Sequence, residues 1–334
     1  MPFSEIFGHE QAISLLRQMI RSATIPHAFI FYGASGIGKK TSAFAFAKAL
    51  NCPNMLDDFC SICTACCKIE QRVHPDILYL EPFENKNTIG IDQLREMQEQ
   101  IAYRPFEGMW KVVIIDNADR LQTEAANSLL KTLEEPPDNT VIVLIATSIA
   151  GMLPTILSRC QQIRFLPLTS ETIVDYLCSR VDACPEDATI IAQYAHGSIE
   201  RALMLFDEEF INQRNKFIAM LSQETVLQPG ASNDLIGKIS KERQEAFALL
   251  DLLELWYRDL LLIKFGMGES KLLYNRDHIN SLLKAEQHET VAGIIAKIRR
   301  IHTVQNTWNT NPDIQLALES ILLQREVIHH AVAI

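Results

Sequence analysis

The first half of the chain alternates short, mostly apolar runs with stretches in which apolar residues recur at helical spacing. Short runs of this kind are typical of strands that are buried on both faces. They lie at 28–32, 76–80, 112–115, 141–146 and 162–165. Because helical patterns separate them, the sequence predicts an α/β domain with a parallel five-stranded sheet covered by helices on both faces. The run 112–115 is apolar at every position, which predicts an interior strand.

The alternation stops at 167–170, where the sequence reads P-L-T-S. Short helical patterns continue to residue 206 and predict a small helical domain, and beyond residue 212 we expect helices only. The strongest apolar stripe comprises Ala246, Leu249, Leu250, Leu253, Trp256, Tyr257, Leu260 and Leu261. Three leucines, at 252, 255 and 262, lie off that stripe and predict a helix that packs on two sides. Three domains follow, at 1–166, 167–211 and 212–334.

Weaker patterns complete the C-terminal domain. Apolar residues at 291, 294, 295 and 298 predict one more helix. Pro312 stands where a first helical turn would begin and predicts a last helix. Residues 222–234, with Pro229 and Gly230 near their centre, predict a loop.

Composition and charge limit the class of protein. The chain has 334 residues, of which 48% are apolar and 22% charged, so it is long enough for two or three ordered domains. The net charge is −10, whereas a protein that grips nucleic-acid phosphates without sequence preference is basic. We therefore expect any DNA contact to be local or shared with partners.

The sequence also predicts a cytoplasmic location. The first five residues carry no basic and apolar signal pattern. The longest apolar tract, at 249–263, is interrupted by four charged residues and is too polar to span a membrane. Cytoplasmic cysteines stay reduced, so a cysteine cluster in this chain is expected to bind metal.

A phosphate-binding loop follows the first predicted strand. Residues 33–39 read G-A-S-G-I-G-K, and Lys40 and Thr41 come next. The residues that would surround a phosphate are Gly33, Gly36, Gly38, Lys39, Lys40 and Thr41: the glycines let backbone N–H groups turn inward, and Lys39 would reach the β- and γ-phosphates. The alternative is a plain glycine turn before a helix.

Two departures weaken the predicted catalytic chemistry. The residue after the motif lysine is normally Ser or Thr, which holds Mg²⁺, but here it is Lys40, and Thr41 lies one residue too late. Asp116 ends the third strand as the expected metal-side carboxylate, yet Asn117 follows it where a carboxylate would polarise the attacking water. ATP or ADP binding stays open, Mg²⁺ binding is doubtful, and we expect little or no ATP hydrolysis. The alternative is that other groups compensate.

A cysteine cluster lies after the helix of the phosphate loop, in a predicted insertion at 52–67. Cys52, Cys60, Cys63 and Cys66 supply four thiolates, with two overlapping C-x2-C spacings. Four tetrahedral sulfur ligands are typical of structural Zn²⁺. Cys67 is expected to point away. The alternatives are a redox pair and buried thiols, and the isolated Cys160, Cys178 and Cys184 are expected to fill the core.

Several strings together resemble the clamp-loader branch of the AAA+ ATPases. They are H-A-F at 27–29, the phosphate loop, the four cysteines, L-L-K-T-L-E-E-P-P at 129–137 and L-S-R-C at 157–160, supported by W-Y-R-D-L-L at 256–261 and N-P at 311–312 with Leu316, Leu318 and Glu319. Within that branch the chain is most similar to the delta-prime group of bacterial DNA polymerase III subunits, along essentially its whole length.

The resemblance implies a fold and a set of partners. The three domains would be an AAA+ core, a helical lid and a helical collar that joins five subunits in a ring. The ring would contain delta and gamma/tau subunits, open the sliding clamp and load it on primed DNA. The chain itself would be a stator with little or no ATPase or polymerase activity of its own.

The resemblance also assigns residues. Arg159, in the S-R-C string, would be an arginine finger that reaches the ATP site of a neighbouring subunit; the alternative is a structural arginine that caps the preceding helix. Thr147 would be a γ-phosphate sensor, or an ordinary strand-end threonine. Glu200 takes the place of a sensor arginine in the lid. Residues 8–10 (G-H-E) would lie near adenine, or form a solvated helix start.

Two other functions compete with the stator. One is a gamma/tau-type motor that hydrolyses ATP, which Lys39 and the S-R-C string allow but Lys40, Asn117 and Glu200 oppose. The other is a P-loop kinase for a small molecule, for which the sequence has no substrate-pocket pattern. Turnover of ATP by the isolated chain separates the stator from both.

Overall fold

A computed structural model describes residues 2–3, 6–82, 88–207, 210–221, 243–270, 272–306 and 321. The chain divides into two compact units, Met1–Leu205 and Phe206–Ile334. The first contains the sheet, and in the second the described residues form only helices and connecting segments. The α/β core followed by helices therefore agrees with the predicted fold class.

The sheet of the first unit contains five parallel strands in the order β2-β3-β4-β1-β5. Their bounds are β1 Ala28–Tyr32, β2 Ile77–Leu80, β3 Lys111–Ile115, β4 Thr140–Ala146 and β5 Gln161–Arg164. Each lies within one residue of its predicted run. Strand β3 is buried along its whole length and has β2 and β4 as neighbours, so it is an interior strand as predicted.

Helices cover both faces of this sheet. On one face, α1 (Glu10–Arg21) and α2 (Lys39–Asn51) pack against Phe29 and Phe31 of β1. On the other, α4 (Ile91–Ile101) and α5 (Thr123–Glu134) pack against Ile30. The alternation of side chains along β1 thus sends adjacent residues into two separate apolar cores.

Three short elements matter for the site. Helix α3 (Thr64–Glu70) follows the cysteine-rich loop, a 3₁₀ turn (Ala118–Arg120) follows β3, and α6 (Pro154–Leu157) precedes β5. Each lies near an end of a strand or of α2, where irregular backbone carries the predicted functional residues.

The remaining helices of the first unit are α7 (Ser170–Arg180), α8 (Pro185–Tyr194) and α9 (Ile199–Asp207). Helix α9 ends two residues beyond Leu205, the last residue of this unit. Helix α7 begins where the strand pattern ends, because the Thr169 hydroxyl accepts a hydrogen bond from the Thr172 N–H. Gly197 takes a positive φ of 82°, and a Cβ there would lie 2.5 Å from Pro167. The predicted limits of the lid, 167–211, stay a prediction.

The second unit contains α10 (Phe210–Leu221), α11 (Arg243–Lys264), α12 (Ile279–Glu286) and α13 (Val291–Asn306). Leu252 and Leu255, which lie off the main stripe of α11, are buried with Leu250 and Leu253. Helix α11 contacts both α12 and α13, which agrees with packing on two sides.

A buried polar network also orders this unit. Arg214 is fully buried and donates to both Asn275 and Asp277, while Asp259 accepts hydrogen bonds from the backbone of Tyr274 and Asn275. These bonds compensate the cost of burying charge in a helical domain.

Some predicted features lie outside the described residues: the loop at 222–234, the last helix from Pro312, and Leu316, Leu318 and Glu319. The side chain of Ala246 is likewise outside them. Within the part of the chain that is described, no helix has both the length and the apolar character to cross a membrane.

Candidate functional site

The phosphate loop joins β1 to α2, as predicted. Gly33, Gly36 and Gly38 all have positive φ. A Cβ on Gly33 would lie 2.2 Å from the carbonyl oxygen of Phe165, so only glycine fits beside the end of β5. The loop therefore has the glycine-dependent backbone that phosphate binding requires.

Lys39 is buried inside this loop. Its ammonium donates to the carbonyls of Gly33 at 2.7 Å and Ala34 at 2.5 Å. Burial lowers the pKa of Lys39, and the carboxylates of Asp116, Asp119 and Glu200 oppose that shift. Three negative groups thus surround the lysine that a phosphate would need.

Lys40 lies on the metal side of the loop. Its Nζ is 3.5 Å from Asp116 Oδ2 and 3.6 Å from Glu81 Oε2, and it stands 4.3 Å above the ring centre of Tyr79. Thr41 is exposed. The carboxylate that would hold Mg²⁺ faces an ammonium instead, so the residues present do not fit a Mg²⁺ ion.

Tyr79 completes this group, although nothing in the sequence pattern of β2 identified it. Its hydroxyl lies 2.9 Å from Asp116 Oδ2 and 2.8 Å from Glu81 Oε2. Burial, followed by these two carboxylates, raises the pKa of Tyr79, so the phenol stays protonated as a hydrogen-bond donor. Asp116 therefore has a hydrogen-bond donor and a cation of its own chain beside the same oxygen, Oδ2.

The residues after Asp116 form a second polar group. Asn117 adopts a left-handed backbone and its N–H donates to Asp116 Oδ1 at 2.9 Å. The hydroxyl of Thr147 donates to Asp119 Oδ2, and the N–H of Thr147 reaches the same oxygen at 3.3 Å. The sequence did not predict this contact of Asp119. The only signal for it was a second acidic residue three positions after Asp116.

The lid segment touches the phosphate loop directly. The N–H of Glu200 donates to the carbonyl of Gly36 at 3.2 Å. A Cβ on Gly36 would lie 2.2 Å from Ser198 Oγ and 2.7 Å from the Glu200 Cβ. The predicted acidic residue of the lid therefore stands against the loop.

His9 packs on the same loop from the other side. Its Nε2 lies 2.6 Å from the Ile37 carbonyl, and its ring meets Phe165 edge-on. Burial lowers the pKa of His9, although the hydrogen bond to Ile37 opposes this. His9 is half-buried at the start of α1, in contact with the phosphate loop, while Glu10 is exposed.

Arg159 follows α6 at the surface, and 35% of its side chain is exposed. Its Nη1 donates to the Thr155 carbonyl at 2.9 Å, and its Nη2 lies 2.7 Å from Glu134 Oε1, at the end of α5. The first contact is the helix cap considered above as an alternative role, and the exposed remainder leaves the guanidinium accessible. Glu134 was not singled out from sequence.

The four predicted cysteines come together. The sulfur atoms of Cys52, Cys60, Cys63 and Cys66 all lie within 4.8 Å of one another. A tetrahedral zinc site with Zn–S bonds near 2.3 Å places its sulfur atoms about 3.8 Å apart, so the cluster fits Zn²⁺ with small adjustments. Backbone N–H groups of Cys60, Cys63 and Cys66 each point at a preceding cysteine sulfur at 3.3–3.4 Å.

The thiols of this cluster differ in acidity. Hydrogen bonds, first from the Ile62 backbone, lower the pKa of Cys60 to about 6, whereas burial raises the pKa of Cys63 and Cys66. Cys67 is exposed and outside the group, as expected. Among the isolated cysteines, Cys160 is half-buried against the core, but the prediction for Cys184 is wrong: it is exposed and caps α8 by accepting from the Asp187 N–H.

Comparisons with known proteins bear on the whole chain. A family model described as "DNA polymerase III, delta subunit" matches residues 8–169, and one described as "DNA polymerase III, delta subunit, C terminal" matches 208–326. The DNA polymerase III subunit delta' of Bacillus subtilis is 31% identical over 94% of this chain and 94% of its own length.

Other relatives share less of their length. The subunit tau of B. subtilis is 32% identical over 80% of this chain, which spans only 51% of tau. A solved structure of a DNA polymerase III gamma subunit-related protein from Thermotoga maritima superposes with a TM-score of 0.48 at 19% identity, covering 93% of this chain and 97% of that one.

Proposed function

The chain belongs to the delta' family of DNA polymerase III clamp-loader subunits, and from this premise we propose that it is the stator that lends an arginine finger to a neighbouring ATPase subunit. Its partners are then delta and gamma/tau subunits in a five-membered ring that loads the sliding clamp on primed DNA. Such a role places it in the cytoplasm with the DNA.

The observation that carries this proposal is the position of Lys40. Its ammonium faces Asp116, the residue that follows β3, with Nζ 3.5 Å from Asp116 Oδ2. Bringing a dication to that carboxylate would place two positive charges within a few ångströms, at a cost of about 4 kcal/mol per unit charge pair near a protein surface. The chain therefore lacks the metal side of an ATPase site.

The catalytic side of the pocket is also altered. Asn117 offers an amide where a carboxylate would take a proton, and Glu200 adds negative charge against the phosphate loop. Nucleotide held by the glycines and Lys39 would meet these groups without the means to be hydrolysed. We propose that the pocket has a structural role in the first unit and no catalytic one.

Unlike the pocket, Arg159 keeps the chemistry that a catalytic residue needs. It is accessible, always charged, and suited to bind phosphate oxygens. Charge developing on a transferring phosphoryl group is what an arginine finger stabilises. A subunit without hydrolysis of its own can thus contribute to hydrolysis in the next subunit.

The cysteine cluster takes a structural part in this proposal. Cys52, Cys60, Cys63 and Cys66 would hold one Zn²⁺ ion, which when bound ties the loop after α2 to the start of α3. All four positions are filled by protein sulfur, so this arrangement leaves no open coordination site for catalysis.

ATP turnover tests the proposal in two steps. The isolated chain should hydrolyse ATP more slowly than about 0.1 per second, which is low for an enzyme. In the complex reconstituted with partner subunits, Arg159→Ala should lower ATPase activity by about 10³-fold, because an arginine finger contributes at least that much. Arg164→Ala, which changes an exposed arginine of β5, is the matched control.

Each alternative outcome has a meaning. Turnover above that limit by the isolated chain favours the gamma/tau-type motor. Sequence similarity to the tau subunit extends over 80% of the chain. Full ATPase activity of an assembled complex containing Arg159→Ala would show that Arg159 is not a finger.

A further inference from the structure

The ion pair between Glu134 and Arg159 joins two elements that the sequence keeps 25 positions apart. Glu134 is the last residue of α5, and Arg159 follows α6. Glu134 Oε1 lies 2.7 Å from Arg159 Nη2, while Nη1 reaches the Thr155 carbonyl at 2.9 Å and Ser158 Oγ at 3.4 Å. The end of α5 therefore contacts the guanidinium at Nη2, and the end of α6 contacts it at Nη1.

The contacts of Arg159 leave one edge of its guanidinium plane for a further partner. Both hydrogen bonds of the guanidinium come from Nη1, to the Thr155 carbonyl and to Ser158 Oγ, while Nη2 forms the ion pair with Glu134. Among the described residues, Nε of Arg159 has no hydrogen-bond partner. Nε and Nη2 share one edge of the guanidinium plane, and such an edge can bind two oxygens of a phosphate.

The pair contributes little to the stability of the fold. The side chains of Glu134 and Arg159 are 51% and 35% exposed, and exposed ion pairs contribute at most about 1 kcal/mol. Orientation is different, because a displacement of about 1 Å at a reacting centre lowers rates by as much as 100-fold. The geometry of the pair therefore affects the direction of Arg159 more than the folding of α5.

We propose that Glu134 is a positioning residue that fixes the plane of Arg159 so that its Nε–Nη2 edge faces the phosphate of the neighbouring subunit. This inference rests on the function proposed above for Arg159. Glu134 itself touches no nucleotide. It acts by holding Nη2 while the end of α6 holds Nη1.

The test compares two adjacent glutamates in the reconstituted complex. Glu134→Gln keeps the shape of the side chain and removes its charge, and we expect kcat for ATP to fall about tenfold with an unchanged KM. Glu135→Gln makes the same charge change one residue away, at an exposed side chain for which the described residues offer no ion pair, and should leave kcat unaltered. Co-elution of all subunits verifies assembly in every case.

A double variant separates positioning from a general structural effect. In the Arg159→Ala background, Glu134→Gln should cause no further loss, because its effect passes through the arginine. Glu134→Asp, which keeps the charge on a shorter side chain, should recover part of kcat.

The outcomes distinguish this inference from its premise. If Arg159→Ala is harmless in the assembled complex, the proposed finger fails. If Arg159→Ala is damaging while Glu134→Gln is neutral, raises kcat, or adds to the loss in the Arg159→Ala background, only the positioning role of Glu134 is overturned.

Discussion

A single side chain, Lys40, changes the electrostatics of the pocket of the first unit. Its ammonium lies beside Asp116, Glu81 and the ring of Tyr79, and the hydroxyl of Tyr79 bonds the same two carboxylates. One ammonium faces two carboxylates, so it offsets only part of their negative charge, and the single proton of the Tyr79 hydroxyl lies between them. Removing the positive charge should therefore leave Asp116 with an unmet preference for a cation.

This predicts a gain of function from Lys40→Thr. The variant restores a hydroxyl next to Lys39 and removes the repulsion, so we expect the isolated chain to bind Mg²⁺-ATP at least about tenfold more tightly than the parent. Calorimetric titration with and without Mg²⁺ measures the effect. Lys40→Met removes the charge but adds no metal ligand, and should gain less; equal affinities for Lys40→Thr and the parent would contradict the electrostatic argument.

Asp76 shows how a buried carboxylate fixes a loop. It is 1% exposed and accepts the backbone N–H groups of Phe106, Glu107 and Gly108 at 2.7–2.8 Å. Burial, the largest effect, raises the pKa of Asp76, but the three N–H groups together outweigh it and the net pKa is lowered. The folded state therefore favours the ionised carboxylate.

Asp76→Asn should destabilise the chain by about 2 kcal/mol, because charged hydrogen bonds to a buried group are lost. Urea unfolding at pH 7 measures the change, and Asp138→Asn, at an exposed position, is the control. Since the folded pKa lies below the unfolded value, the contribution of Asp76 is present above about pH 4 and disappears as the pH falls through the folded pKa. A difference between parent and variant that persists undiminished well below that pKa would contradict this assignment.

At the scale of elements, the cysteine cluster connects α2 to α3 in a segment with little regular structure. Cys52 follows α2, Cys63 caps α3, and Cys66 lies in its first turn. In the proposed zinc site, the crosslink that the metal provides would order this segment. Lys48 and Glu70, an ion pair between the same two helices, reinforce the connection.

Cys63→Ser should therefore abolish metal binding. We expect the parent to hold roughly one Zn²⁺ per chain under reducing conditions and the variant to hold almost none, with a lower thermal unfolding temperature. Metal analysis by mass spectrometry measures the content. Cys67→Ser alters an adjacent, exposed thiol outside the cluster and should keep the metal; a parent free of zinc, or a Cys63→Ser variant that retains it, would refute the site.

The elements of the first unit could be predicted because each has a local cause. Strands buried on both faces leave apolar runs, and the five runs match β1–β5 within one residue. The glycines of the phosphate loop and the C-x2-C spacings are equally local signals. These signals predicted which residues lie together in the phosphate loop and in the cysteine cluster.

Contacts between distant residues could not be predicted in the same way. Asp119 with Thr147, and Glu134 with Arg159, are 28 and 25 positions apart and follow from how α5, β4 and α6 pack. Cys184 was expected in the core because thiols are commonly buried, but its place before Pro185 makes it a helix cap. No periodic pattern marks such side chains.

At the scale of the whole molecule, the second family match begins near the boundary between the two units. It starts at residue 208, close to the boundary between Leu205 and Phe206, whereas the first match ends at 169, inside the first unit. Each unit has its own buried core and polar network, so each has the means to fold separately. The proposal assigns them different work: the first carries Arg159 and the cysteine cluster, and the second joins subunits.

A cut after residue 209, beyond the end of α9 at Asp207, tests this division. Fragment 1–209 should unfold cooperatively and retain zinc, because its sheet, both apolar cores and all four clustered cysteines are intact. Fragment 210–334 should co-elute with partner subunits on gel filtration, whereas 1–209 alone should not, since the proposed collar supplies the assembly surface. Mixing the two fragments provides the control for damage caused by the cut. If 1–209 assembles as well as the full chain, the first unit rather than the helical second unit holds the ring together, and the proposed collar role is wrong even if Arg159 proves to be the finger.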